Sequence, residues 1–347
     1  MIGISFYLQD PDAETQIIHA ASLGVKRAFT SLHIPEEKGD HVQRMVELLK
    51  LAESYEMEIH ADVSLNTLNH LGISNFEDLS SLGVKGIRLD DGFDYETIRS
   101  LSEVFSLSLN ASTLKEDELM AVLGSGIKPE CLIAWHNFYP RRETGLEEEF
   151  FQNQNRMFKK YGIPIVAFIP GSGSKRGPLH DGLPTLEKHR FMNPFAAGVE
   201  LFQHVNGVYI GDQGVENDLI ENLSAFNDRN ILSIRVKSSV LQSGIYDLRP
   251  DVSRDVYRLQ HTRVTTQVKP QNTVERCLGS ITMDNDAYGR YRGEVQICRR
   301  DLEANNRVNV IGLVIEEDLP LLALLESGQS VNLQCEELYI DLEIHRK

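Results

Sequence analysis

At 347 residues, 41% of them hydrophobic and 25% charged, the chain has the composition of an ordinary globular protein and room for one large domain or two unequal ones. The formal net charge is −16, and nearly all of the acidic excess precedes residue 234, a field that opposes nucleic acid and anionic lipid as partners. No run approaches the roughly 20 apolar residues of a membrane span. The start, Met1-Ile2-Gly3-Ile4-Ser5-Phe6, lacks the basic and apolar regions of a signal peptide, so a cytoplasmic location is expected. Cys131, Cys277, Cys298 and Cys335 show no CxxC spacing, and free thiols are expected.

Eight segments read as buried parallel strands: residues 2–8, 27–34, 58–64, 86–91, 105–112, 132–139, 164–170 and 207–211. Amphipathic stretches lie between them. In 40–55, Val42, Met45, Leu48, Leu49 and Ala52 fall at helical spacing behind Asp40; further helices are expected from Asp94, over 147–161 and over 216–226. Gly24, Gly83, Gly126, Gly162 and Gly207 each close a helical pattern just before a strand, as a left-handed residue past a helix end does. Eight β–α units within about 230 residues match a (β/α)8 TIM barrel, an α/β fold. A doubly wound sheet would want a GxGxxG turn after its first strand, and Leu8-Gln9-Asp10-Pro11-Asp12 is unlike one. Beyond residue 230 the pattern changes to short turn-separated strands at 231–240, 284–292, 294–298, 308–315, 330–335 and 338–344, with one helix at 319–326. The expected division is therefore a catalytic barrel over 1–230 and a small β-rich domain over 231–347.

In a TIM barrel, chemistry sits at the C-terminal strand ends and the loops after them. Alternation along the third strand turns His60, Asp62 and Ser64 to the barrel axis. On the fourth it turns Arg88 and Asp90 inward, and on the fifth Ser106, Ser108 and Asn110. Asp62 and Asp90 are thus expected at one height, with Arg88 a layer below. Two close carboxylates push each other's pKa values apart, which suits one for proton donation and the other for an ionised role. The competing reading is an ion-pair network plugging the barrel around Arg88. The sixth strand ends Trp135-His136-Asn137-Phe138-Tyr139-Pro140-Arg141-Arg142, which offers stacking faces for a sugar and arginine forks for an anion, or else a core Trp before a solvated turn. The loop after the seventh strand, Pro170-Gly171-Ser172-Gly173-Ser174-Lys175-Arg176-Gly177-Pro178, lacks the ending of a P-loop, so a nucleotide is not indicated. With Arg141, Arg142, Lys188 and Arg190 it nonetheless forms a cationic cluster in an acidic domain. Asp212, after the eighth strand, places a further acid at the rim. No inward lysine suits a Schiff base. His60, Asp62, His136 and Asp212 would be the candidates for a metal, but no HxH pair occurs.

Several long motifs resemble one family. They are Phe29-Thr30-Ser31-Leu32-His33-Ile34-Pro35-Glu36-Glu37, Arg88-Leu89-Asp90-Asp91-Gly92 and Leu109-Asn110-Ala111-Ser112. Later in the chain come His136 to Arg141 with Glu143-Thr144-Gly145-Leu146, Arg176-Gly177-Pro178, and Gly182-Leu183-Pro184-Thr185-Leu186-Glu187 with His189-Arg190. The chain is similar to the bacterial 6-phospho-N-acetylmuramidases, glycoside hydrolases of cell-wall recycling once described as outer surface proteins. Asp91 stands where that family pattern has an aromatic residue.

The resemblance implies a TIM barrel followed by a cyclophilin-like β-barrel domain. It also implies hydrolysis of a phosphorylated amino-sugar disaccharide by paired carboxylates, without metal or organic cofactor. On this reading Asp90 and Asp62 are the first catalytic candidates, with Glu187 and Asp212 as further ones. Asn110, His136, Asn137 and Tyr139 would orient the sugar. Arg141 and Arg176, with loop donors Ser172 and Gly173, would hold its anionic groups. A metal-dependent hydrolase of a small phosphorylated substrate and a non-catalytic sugar-phosphate binder are the alternatives. Association into a homo-oligomer is left open.

Overall fold

A computed structural model describes residues 1–32, 41–89, 92–214 and 216–336 of the chain. Asp90, Asp91, part of the 29–37 motif, the Asp40 cap and the strand expected at 338–344 lie outside the described residues. The chain divides into two compact units, Met1–Ser224 and Ala225–Lys347.

In the first unit eight parallel strands close on themselves in chain order. They are β1 (Ile2–Ser5), β2 (Arg27–Ser31), β3 (Glu58–Val63), β4 (Val84–Leu89), β5 (Ser106–Asn110), β6 (Leu132–Trp135), β7 (Ile165–Ile169) and β8 (Gly207–Ile210). Helices α1 (Ala13–Ser22), α2 (His41–Ser54), α3 (Thr67–Leu71), α4 (Tyr95–Leu101), α5 (Glu116–Gly124), α6 (Glu148–Lys160), α7 (Pro194–Phe202) and α8 (Asn217–Arg229) return the chain between strands and follow the last one. The α/β barrel expected from the strand count is the fold. Gly83 ends its helical turn in the left-handed region, at φ +89°. Gly207 departs from that expectation, since it is the first residue of β8.

Large side chains fill the barrel. Phe29 of β2 and Trp135 of β6, from opposite walls, meet with ring centroids 5.6 Å apart, and Trp135 lies 4.7 Å from Tyr209 of β8. With Val166 and Phe168 these form one buried cluster. Two glycines make the space: a Cβ on Gly3 would fall 2.2 Å from the Tyr209 ring, and one on Gly86 2.2 Å from His60 Nδ1. A register shift between β3 and β4 pairs Ile59 with Val84 but His60 with Gly86, so that Asp62 stands opposite Arg88. This corrects the expected layering. Arg88 is level with Asp62, because Lys85 is skipped in the pairing.

The second unit is a seven-stranded mixed sheet, in the order β10 (Gly244–Asp247), β15 (Ser330–Glu336), β9 (Ile231–Ser238), β14 (Val308–Val314), β12 (Ser280–Asp284), β13 (Val295–Cys298) and β11 (Val256–Arg258). Only β9 and β15 pair in parallel. The sheet curls until its two outer strands touch. Leu248 bridges Leu259, flanked by Arg249 N–H donating to the Arg258 carbonyl and Gln260 N–H to the Asp247 carbonyl, both at 2.8 Å. The strand expected at 284–292 stops at Asp284; Asn285 then caps a 3-10 turn over Asp286–Tyr291 by accepting from Ala287 N–H. The helix expected at 319–326 is a 3-10 helix over Glu316–Leu324, which contains Pro320. All four cysteines are free thiols.

Candidate active site

The polar layer at the C-terminal mouth of the barrel is built on Arg88. Its Nε donates to Asp62 Oδ1 at 2.5 Å and its Nη2 to Oδ2 at 2.7 Å, a bidentate pair. Its Nη1 donates to Asn137 Oδ1 at 2.9 Å, and the guanidinium lies over the Phe29 ring, 5.9 Å from its centroid. Asp62 is 5% exposed. The ion-pair network weighed for Arg88 is thus present, and it is also the feature that fixes Asp62 and Asn137 at the mouth. Asp90 follows the last residue of β4 in sequence and lies outside the described residues.

Below this layer His60 faces the axis, its ring centroid 4.9 Å from that of Trp135 at a tilt of 47°, and burial pushes its imidazole down to about 4. His136 does not join the mouth. Trp135 takes the inward position, so His136 points to the helix side. There its Nδ1 meets Ser112 Oγ at 3.2 Å, its Nε2 meets Asn155 Oδ1 of α6 at 2.9 Å, and its ring packs on Phe151. Fully buried, it is also pushed down to about 4. The expectation that His136 orients a sugar is corrected by this placement. Asn110 and Tyr139 are half-buried; Asn110 Oδ1 accepts from Ser112 N–H at 3.1 Å, and Tyr139 N–H donates to the Pro184 carbonyl at 2.9 Å.

The other two acids are occupied by the loops. Asp212, expected at the rim, is fully buried. Its Oδ2 accepts from Gly171 N–H at 3.0 Å and Leu183 N–H at 3.1 Å, and its Oδ1 from Arg176 N–H at 3.0 Å. Glu187 holds a second turn: its two oxygens take Arg190 Nε and Nη2, both at 2.7 Å, together with Glu143 N–H at 2.9 Å and Gly145 N–H at 2.7 Å. The Arg190 side chain and these amides hold the Glu187 carboxyl down to about 2. Arg190 also donates to the carbonyls of Gly182 and Arg141. Both acids fasten long loops onto the barrel rim. Ser172 Oγ accepts from Glu216 N–H at 3.1 Å, and Gly173 sits so close to the Gly214 carbonyl that a Cβ would be 2.0 Å from its oxygen.

The cationic cluster resolves into used and unused charges. Arg142 pairs with Asp181 at 2.5 Å, Lys188 pairs with Glu148 and Glu200, and Lys175 donates to the Gly171 carbonyl. Burial pushes the Lys175 ammonium down. The guanidinium groups of Arg141 and Arg176 make no hydrogen bond or ion pair among the described residues. Arg141 is exposed. Arg176 is half-buried, its guanidinium carbon 3.7 Å from the centroid of Tyr7. Tyr7 is 2% exposed and donates its hydroxyl to the Gly211 carbonyl at 2.7 Å.

Tyr7 was not singled out from the sequence, although alternation through Gly3 and Ser5 already places it inward. Thr185 was missed as well. Its Oγ1 donates to the Asn137 carbonyl and accepts from Phe168 N–H, each at 2.9 Å, a link between loop and strands for a residue that lies within the Gly182–Glu187 motif but was given no role there. Among the described residues no group of three or more His, Cys, Asp or Glu side chains could hold a metal ion.

A family model described as 6-phospho-N-acetylmuramidase, N-terminal, matches residues 2–225, and its C-terminal counterpart matches residues 227–334. The chain belongs to the 6-phospho-N-acetylmuramidase family. The two family models meet inside α8, as the two compact units do. Among solved structures, the chain is similar to a conserved Enterococcus faecalis protein of unknown function. The two are 36% identical with a TM-score of 0.87, over 97% of this chain and 96% of that one. It is also similar to an uncharacterised B. cereus protein at 27% identity and a TM-score of 0.74, over 97% of this chain and 99% of that one. No curated protein matches the chain.

Proposed function

We propose that the protein is a cytoplasmic glycoside hydrolase that removes 6-phospho-N-acetylmuramic acid from a phosphorylated cell-wall disaccharide during peptidoglycan recycling. Membership of the family supports the reaction class. The observation that carries the substrate reading is Arg176: a guanidinium with no acid partner among the described residues, held against the Tyr7 ring while its backbone is fixed by Asp212. The proposed sugar carries a phosphate and a lactyl carboxylate. A planar guanidinium fork with open donors suits either anion. Exposed Arg141 is assigned to the second one, and the loop at Ser172 and Gly173 supplies neighbouring donors.

Glycosidic cleavage needs one carboxyl to protonate the leaving oxygen and a second to act as nucleophile or base. Asp212 and Glu187 each accept from two or more backbone amides of the loops they fasten, so we assign them to holding the rim. Asp90 is then the candidate proton donor, two positions along the chain from Arg88. Asp62, whose carboxyl accepts from the Arg88 side chain, is the candidate for the second role. Asn110, Asn137 and Tyr139 are left to orient the sugar. The curled C-terminal sheet is taken as the cyclophilin-like domain of the family, with no isomerase activity implied by fold.

The test is turnover by Asp90→Asn on the phosphorylated disaccharide, together with binding of the intact substrate. Loss of kcat by several orders of magnitude with binding retained is expected. Near-normal turnover removes Asp90, and binding with no turnover by the unaltered protein would leave a sugar-phosphate binder.

A further inference from the structure

Most arginines at the barrel mouth are held by acids. Arg88 is closed by Asp62, Arg190 by Glu187 and Arg142 by Asp181. Arg176 is held differently. Its backbone N–H is fixed by buried Asp212, and its guanidinium lies on the face of a buried ring. That ring is held by its burial, and its hydroxyl donates to the Gly211 carbonyl, at the end of β8 beside Asp212 itself. Gly211 is locked in turn: a Cβ there would meet the Leu183 carbonyl at 2.7 Å.

We propose that Tyr7 is a positioning residue for anion recognition: it holds the Arg176 guanidinium flat, so that the in-plane N–H groups face the anionic group of the substrate. This rests on the phosphosugar reading above and adds how selectivity for that anion is set. A guanidinium stacked by its face keeps its N–H donors in the plane, free for a bidentate contact, whereas one held by a carboxylate has spent them. Stacking also avoids a competing negative charge. Burial pushes the Tyr7 phenol up to about 12, so the ring under Arg176 stays neutral through the working pH range. A lysine at position 176 would keep the charge and lose the plane.

The experiment is steady-state hydrolysis of the 6-phosphorylated disaccharide by a set of full-length variants, each checked by thermal unfolding. Tyr7→Leu removes the aromatic face and is expected to raise KM about ten-fold with kcat within about two-fold, in line with a partly desolvated cation–π contact. Tyr7→Phe keeps the face and loses only the bond to Gly211. It is expected to lower the unfolding temperature while leaving KM within about two-fold of the unaltered protein, so that KM follows the aromatic face and not the stability, a split from Tyr7→Leu that a merely structural role would not give. Arg176→Lys, which leaves the buried ring itself in place and so keeps the test open if Tyr7→Leu fails to fold, should raise KM as Tyr7→Leu does. Adding Tyr7→Leu to Arg176→Lys should raise it no further. An unchanged KM in Arg176→Lys, or in Tyr7→Leu while Arg176→Ala raises KM, overturns the positioning role and leaves the anion assignment standing. An unchanged KM in Arg176→Ala overturns both.

Discussion

Replacing Asp62 by alanine isolates the contribution of the Arg88 fork. In the native barrel the two groups share hydrogen bonds of 2.5 and 2.7 Å, and their side chains are 7% and 17% exposed. At an effective dielectric of about 20, charges about 4 Å apart attract by roughly 4 kcal/mol, and removing one partner of a buried pair typically costs about 3–5 kcal/mol. After the substitution Arg88 keeps the bond to Asn137 and its contact with the Phe29 ring, and neither neutralises it. For a unit the size of the barrel, about 4 kcal/mol corresponds to a fall of roughly 10 °C in unfolding temperature. The chain has one tryptophan, Trp135, buried inside the barrel, so its fluorescence follows this unit. The double variant Asp62→Leu/Arg88→Met replaces both charges with apolar groups and should recover most of the loss, because the cost lies in the orphaned cation. A loss below about 1 kcal/mol in Asp62→Ala, or no recovery in the double variant, would refute the reasoning.

Two further outcomes follow from the packing and the charges. Gly86→Ala puts a Cβ 2.2 Å from His60 Nδ1 in a filled barrel and should cost about 1–3 kcal/mol, and His60→Ala in the same chain should relieve part of it; full native stability in Gly86→Ala would contradict the packing. In the second unit, burial and the neighbouring Glu294 raise the Asp284 carboxyl to about 7. Its folded pKa lies above the unfolded value, so the native state holds the extra proton between about pH 4 and pH 7, and stability falls as pH rises through that window. Asp284→Asn removes this cost. Its advantage over the unaltered protein should grow by a few kcal/mol between about pH 5 and pH 8 in urea unfolding, and a pH-independent difference would count against the shift.

The barrel was legible because its strands are short apolar runs at regular spacing, a signal that each segment carries alone. What alternation could not supply was register. Lys85 drops out of the pairing between β3 and β4, and this one-residue shift moves Arg88 level with Asp62. The inward turn of His60 and Asp62 followed from parity. The same parity, counted from an inward Trp135, turns Asn137 to Arg88 and His136 outward to Ser112 and to Asn155 of α6. Composition revealed the cationic loops without showing which charges were free, since Arg142, Lys188 and Arg190 are paired with acids up to 40 residues away in sequence. Asp212 and Glu187 misled for the same reason. An acid near a strand end looks alike whether it faces substrate or holds a loop through backbone amides.

The most direct measurement compares hydrolysis of the 6-phosphorylated N-acetylmuramic acid disaccharide with hydrolysis of its unphosphorylated twin under identical conditions. A cationic site built to pair with phosphate should favour the phosphorylated form by about a hundred-fold or more in kcat/KM, because the wrong substrate leaves the half-buried Arg176 guanidinium unpaired. Equal rates on the two disaccharides would contradict the account.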